Sequence, residues 1–235
     1  TKVMVNIGSP EEALRHFWLP AQGVGLGRLE FIITSHIGIH PNALIAFNKL
    51  KRARDKKTQR IVRAIEERTA HYRDKTDFYV AELASGIAKI AAAFHPHDVI
   101  VRFSDFKSNE YRTLIGGELF EPEESNPMIG WRGASRYYDP AFRDAFALEC
   151  RALDRVRTEI GLRNAIPMIP FCRTPEEGQR VVALMDEFGL SRERDKELKI
   201  YLMCEIPSNV IRADEFLDIF DGMSIGSNDL TQLTL

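Results

Sequence analysis

Three arginines and three carboxylates in this sequence stand where they could act together. Arg28 closes the glycine-rich run at residues 23–27, Arg102 and Asp105 follow the apolar residues 99–101, and Arg132 follows residues 129–131. Glu205 follows residues 202–204, and Asn228-Asp229 follow residues 223–227. Guanidiniums are planar, permanently charged forks suited to carboxylate and phosphate oxygens. A glutamate and an aspartate offer hard oxygens to Mg2+, which takes one or two carboxylates plus substrate oxygens and water. Together they describe a site for a small, doubly anionic substrate that bears phosphate. Taken singly, each arginine reads more readily as a surface salt bridge, Glu205 equally as a cap or ion-pair partner, and Asp229 equally as an N-cap. The ensemble separates the readings, because every member falls at the carboxyl end of an apolar run.

Those runs are the elements that would position the site. Residues 3–7, 99–103, 166–171, 200–204 and 222–225 are short and nearly continuously apolar; 23–26 is a weaker sixth run and 128–131 a candidate seventh. With little period-two alternation, they read as strands covered on both faces, as in a parallel sheet. Helices lie between them: Ser9-Pro10 and Thr174-Pro175 each set an N-cap before a proline at the first helical position, and Ser208 opens a third helix. Strand, capped helix and strand, repeated, make a βα series. Spread over 235 residues, the series predicts an α/β fold, a (β/α)8 TIM-type barrel truncated before its last strand. In such a barrel all these strand ends share one rim, where the βα loops build the site.

An open doubly wound sheet is the competing architecture. It asks for a nucleotide-binding loop, whereas Gly23-Val24-Gly25-Leu26-Gly27 has G-x-G-x-G spacing and no G-x-x-x-x-G-K-[ST] occurs. Residues 42–93 carry helical periodicity without a strand, which predicts a helical insertion after the second strand, within one domain spanning 1–235. The seven basic residues between Lys49 and Arg60 read as a solvated helix face rather than a nucleic-acid patch. The sequence starts at Thr1 in a strand-like run and stops at Leu235 without a polar tail, so it reads as a piece cut from a longer protein.

Composition narrows the class further. The 44% hydrophobic and 28% charged residues are globular values. With 32 basic against 34 acidic residues there is no global field to attract nucleic acid or an anionic membrane, and no apolar stretch reaches bilayer-spanning length. Three cysteines without tight spacing (Cys150, Cys172, Cys204) suggest a reducing cytoplasm rather than a disulfide scaffold. The pairs His36/His40 and His95/His97 lack the Cys/His company of a zinc site. Cys204 adjoins Glu205, but successive strand residues point to opposite faces, which directs it toward packing rather than nucleophilic chemistry.

One stretch carries a family likeness. Asp221-Gly222-Met223-Ser224-Ile225-Gly226-Ser227-Asn228-Asp229-Leu230-Thr231-Gln232 resembles the signature of the PEP-utilising enzymes, the family of the pyruvate dikinases and enzyme I of the sugar phosphotransferase system. Gly23-Val24-Gly25-Leu26-Gly27-Arg28-Leu29-Glu30 resembles their G-[VI]-G-L-x-R-x-E element. Val101-Arg102, Asn126-Pro127-Met128-Ile129-Gly130-Trp131-Arg132-Gly133 and Met203-Cys204-Glu205-Ile206-Pro207 are similar to three more elements, so the likeness runs from end to end. Within the family, residues 102–111 and 204–209 are most similar to the pyruvate, water dikinases, with pyruvate phosphate dikinase and enzyme I as alternatives. A non-catalytic partner-docking module built on the 42–93 segment is an alternative of another class.

The resemblance implies the C-terminal PEP/pyruvate-binding barrel of a multidomain enzyme. A swivelling domain would bring a phosphohistidine, charged at an ATP-grasp domain, and the full-length enzyme would be a candidate homodimer. Residue by residue, it implies that Arg28 and Arg102 hold the phosphoryl and carboxylate groups of PEP, with Arg132 a third arginine of the pocket. Glu205 and Asp229 match Mg2+ ligands, and Gly226, Ser227 and Asn228 match the loop beside the substrate. The family's proton-donating cysteine and a further arginine lie beyond the position of Leu235. None of Cys150, Cys172 and Cys204 inherits the donor's role, and these 235 residues alone are expected not to complete the reaction.

Overall fold

The computed structural model describes residues 1–125 and 129–235. Strand β1 (Val5–Ile7) leads through helix α1 (Pro10–His16) to β2 (Val24–Arg28). Next come α2 (Leu29–Ile32), running into a π-helical turn at Ile33–Ile37, then α3 (Pro41–Ile45), α4 (Phe47–Leu50), α5 (Lys56–Arg68), α6 (Lys75–Ala93) and β3 (Val99–Arg102). A long connection holds α7 (Ser108–Tyr111), α8 (Ala134–Tyr137) and α9 (Arg143–Asp154) before β4 (Ala165–Ile169). Then follow α10 (Pro175–Glu187), β5 (Tyr201–Cys204), α11 (Pro207–Ile211), α12 (Ala213–Leu217), β6 (Gly222–Ile225) and α13 (Ser227–Thr234).

All six strands pair in parallel, in the order β1-β2-β3-β4-β5-β6. A doubly wound sheet reverses its order at a switch point, and this one never does. The strictly sequential order is that of a TIM-type barrel, here a partial one with β1 and β6 as its edges. The six strands fall on the six apolar runs. The candidate seventh does not form a strand: residues 129–131 are irregular, Gly130 takes a φ of 75° that breaks an extended run, and 126–128 lie outside the described residues.

Local chemistry explains the helix starts. Ser9 accepts from Glu12 N–H at 3.1 Å and Thr174 from Glu177 N–H at 3.2 Å, each with proline next in sequence. Ser208 is not the cap that its type suggests. Pro207 already occupies the first helical position, so Ser208 falls inside α11 and its hydroxyl donates to Arg173 O at 2.8 Å. Asn209 does the tying there, accepting from Glu205 N–H and Ile206 N–H and donating to Cys172 O.

Burial divides the sheet into two faces. Val24, Val99, Val101, Ala165, Ile169 and Leu202 belong to the large core shared with helices such as α6 and α9. Leu26, Ile100, Met168 and Met203 form a separate cluster made of strand residues alone, on the face that carries no helix. Side chains alternate along a strand, so two residues further on the same face come Arg28, Arg102 and Glu205. The strand period thus delivers these three to the helix-free rim, and the Arg28↔Arg102 register sets the first two side by side.

On the other face, α9 buries a carboxyl group. Burial pushes Glu149 up to about 7, although the hydrogen bonds from Ser104 pull the other way; Glu30 adds repulsion and Arg136 attraction. In the unfolded chain a glutamate ionises near its ordinary 4.5. Between these values the folded protein holds a proton that the unfolded chain has released, so stability from this group is full below pH 4.5 and is lost as pH rises through about 7. Its share is about 3 kcal/mol. Glu149→Gln is expected to flatten this fall, read as a smaller difference between urea midpoints at pH 5 and pH 8. No helix of the described residues is long and apolar enough to cross a membrane.

Candidate functional site

The rim is organised by carboxylates that hold arginines. Arg102, at the end of β3, donates from Nη2 to Glu30 Oε1 at 2.8 Å, and its Nη1 lies 3.4 Å from Asp105 Oδ2. The same Glu30 oxygen accepts Asp105 N–H at 2.7 Å, so Glu30 fixes both the guanidinium and the turn beyond it. Asp105 takes Arg132 as a fork, from Nε to Oδ1 at 2.9 Å and from Nη2 to Oδ2. Arg132 Nη1 then donates to Asp229 Oδ1 at 3.0 Å. A continuous chain, Glu30–Arg102–Asp105–Arg132–Asp229, therefore links α2, β3, the connection after it and α13. Burial opposes both charges, yet Glu30, Asp105 and Glu205 hold Arg102 above its ordinary value, and Asp105, Asp229 and Glu205 do so for Arg132. Burial raises the Glu30 carboxyl against the pull of Arg102.

Arg28 differs from its two companions. It is exposed at the end of β2 and makes no ion pair among the described residues. Together with Arg102, Arg132, Glu30 and Asp105 it lines a cavity of ≈ 380 Å³, which Phe31, Thr34, Phe106, Lys107 and Glu110 complete.

Glu205 is fully buried beyond β5. Its Oε1 accepts Phe171 N–H at 2.7 Å, while Oε2 is buried with no hydrogen-bond partner. Burial, then the charge of Asp105, push its carboxyl up to about 7 against the pull of Arg102. Gly226 flanks it: a Cβ there would stand 2.8 Å from Glu205 Cβ and 2.9 Å from Oε2. Glycine thus leaves space beside this unsatisfied oxygen of Glu205. Asp229 has a single hydrogen bond, to Arg132, and Ser227 and Asn228 are exposed on the first turn of α13 without a side-chain hydrogen bond among the described residues. The described residues hold no group of three or more His, Cys, Asp or Glu ligands. A pair of carboxylates is the pattern of Mg2+, which keeps several waters and substrate oxygens.

The structure brings Arg28, Arg102 and Arg132 around one cavity, and Asp229 joins them through Arg132. Glu205, Gly226, Ser227 and Asn228 lie outside that lining. Arg132 does not come from a strand end, as the reading of residues 129–131 suggested. It arrives on the long connection after β3 and is placed by Asp105, Asp229 and the Phe171 ring, whose centroid is 4.4 Å from the guanidinium carbon.

Sequence reasoning missed Phe171 as a site residue. Its φ of 48° is left-handed, an outlier for a bulky side chain. Such a conformation costs about 1–3 kcal/mol and persists only where the surroundings impose it. Here the imposed turn aims the N–H at Glu205 and the ring at Arg132. Glu30 was visible only as part of a motif, and its pairing 72 residues away with Arg102 carries no local signal. Burial also raises the Cys204 thiol, which suits packing and not attack.

Gly133 lets the Arg132 segment approach the Phe171 turn. It has φ of 60° and ψ of −142°, and a Cβ would meet Phe171 Cβ and Pro170 O at 2.6 Å. Gly133→Ala is therefore expected to cost at least about 1–3 kcal/mol from the backbone alone, read as a lower urea midpoint.

Comparison with known proteins agrees with this geometry. The family model described as "PEP-utilising enzyme, PEP-binding domain" matches residues 1–235. The chain is 59% identical over its whole length to a phosphoenolpyruvate synthase of Synechocystis sp., of which it covers 28%. It is 51% identical to the phosphoenolpyruvate synthase of Aquifex aeolicus, covering 32%, and 51% identical to that of Escherichia coli, covering 28%. It thus spans about 28–32% of the length of these relatives. With a family match over all its residues, the chain belongs to the PEP-binding domain family of the PEP-utilising enzymes.

Proposed function

We propose that this chain is the PEP/pyruvate-binding catalytic domain of a cytoplasmic phosphoenolpyruvate synthase, with residues 42–93 as a helical insertion in that single barrel domain. The overall reaction is ATP + pyruvate + water → AMP + PEP + phosphate. The observation that carries the reading is the cluster of three arginines around one rim cavity, beside a buried glutamate with a free oxygen.

In the step assigned to this domain, pyruvate passes a methyl proton to the family's cysteine, supplied by the parent chain outside these residues; the enolate oxygen attacks the phosphorus of a phosphohistidine, and the N–P bond breaks as the O–P bond forms. The swivelling domain of the parent chain supplies that phosphohistidine. Arg28, which has no ion-pair partner among the described residues, attracts the anion into the cavity. Arg102 and Arg132, held in position by Glu30, Asp105 and Asp229, present fixed donors to phosphoryl oxygens, so little reorganisation is needed as charge shifts. Glu205 and Asp229 fit a Mg2+ ion, which when bound would stabilise negative charge on carboxylate and enolate oxygens. The Phe171 N–H engages one Glu205 oxygen, and Gly226 leaves the other without a side chain against it.

The direct test is PEP formation by the full-length protein from ATP and pyruvate, with AMP and phosphate as co-products. Equimolar PEP and AMP support the proposal. Absence of PEP, or phosphate transfer from PEP only to a small phosphocarrier protein, would overturn it in favour of an enzyme I activity.

A further inference from the structure

Ser104 lies between Arg102 and Asp105, on the turn that leaves β3, and all its polar groups are engaged. Its N–H donates to Glu149 Oε2 at 3.0 Å and its hydroxyl donates to Glu149 Oε1. The Tyr111 hydroxyl stands 2.6 Å from Ser104 Oγ, and the Tyr137 hydroxyl donates to Ser104 O at 2.7 Å. Ser104, Glu149, Tyr111 and Tyr137 are all completely buried. Glu149 therefore reaches no substrate, and nothing in the chemistry above uses it.

A buried carboxyl group is costly beside an apolar residue of the same size, so its presence needs a reason. Its location supplies one. α9 packs behind the sheet, and from that rigid support Glu149 grips Ser104, the residue next to Asp105 on the two-residue link from Arg102 to Asp105. Asp105 in turn receives Arg132 through two of its nitrogens.

We propose that Glu149 is a positioning residue for phosphoryl transfer. By clamping Ser104 from the helix side, it sets the separation of Arg102 and Asp105 and, through Asp105, the orientation of Arg132. This rests on the reading of Arg102 and Arg132 as the phosphoryl-holding arginines. A shift of about 1 Å in such groups costs on the order of 10²-fold in rate.

The test is steady-state kinetics of PEP formation by the full-length protein, with folding of each variant checked by circular dichroism at the assay temperature. Glu149→Ala is expected to lower kcat on the order of 10²-fold while the KM for ATP, bound on another domain, stays put. Glu149→Gln should recover most of that loss. Its amide oxygen still accepts Ser104 N–H and its NH2 donates to Ser104 Oγ, whose proton then turns to Tyr111. Ser104→Ala, which keeps the N–H bond and loses the hydroxyl, is expected to lie between them.

A folded Glu149→Ala with the parent kcat overturns the proposal, as does a glutamine variant no better than alanine. If Glu149→Ala does not fold, Ser104→Ala decides, and a parent-like kcat there overturns it. Arg102→Ala, assayed alongside, separates the two claims. Full activity in that variant removes the reading of the site itself, whereas its loss together with parent-like Glu149 and Ser104 variants removes only the positioning role.

Discussion

Arg102→Ala in the full-length protein is expected to lower PEP formation by at least about 10²–10³-fold, the usual effect of losing one preorganised donor to a developing charge. The side chain is nearly buried at the rim and engages Glu30 and Asp105 while its charge faces the cavity. Alanine removes the donor and also strands the Glu30 carboxyl, which burial already disfavours as an anion. The loss should appear mainly in kcat, because a donor aimed at the phosphoryl group acts most strongly during transfer. Turnover within a few-fold of the parent would refute the assignment of Arg102.

Asp105→Ala has the second large expected effect, on both stability and rate. Asp105 is the hub of the rim, with its carboxylate fully enclosed and shared by Arg132 and Arg102. Removing one partner of a buried ion pair leaves the other uncompensated, at about 3–5 kcal/mol. Glu30 and Asp229 remain as partial partners, so the lower end of that range, about 3 kcal/mol, is expected in urea denaturation. Arg132 would lose the fork that orients it, so kcat should fall even at temperatures where the variant is folded. A variant as stable and active as the parent would show that the arginines are held by other means.

How much of this was legible in the sequence follows from where each signal resides. The inner strands β3, β4 and β5 were legible because they are largely buried on both faces and so read as unbroken apolar runs, β4 most clearly, whereas the edge strands β1 and β6 keep apolar residues although they are only partly covered. Arg28, Arg102 and Glu205 were legible because a strand's period of two places them on the helix-free face just past its core residues. Arg132 was found through its motif, yet its expected strand does not form among the described residues. Its placement comes from Asp105 and Asp229, 27 residues before it and 97 after it, which no local pattern encodes. Ser208 was misjudged because proline one position earlier had already started the helix. The left-handed Phe171 is an effect of tertiary packing on an ordinary residue type and has no sequence signal. Glu149 carries no sequence signal, and only the fold turns it toward Ser104.

The most direct test of the central claim, that this rim is one arginine- and metal-dependent anion site, is calorimetric titration with oxalate, an analogue of the pyruvate enolate. The full-length protein would be titrated with and without Mg2+, beside Glu205→Ala and Arg102→Ala. The expected result is saturable binding that requires Mg2+ and is lost or strongly weakened in both variants. Oxalate binding that is equally strong without Mg2+, or unchanged in the two variants, would contradict the account.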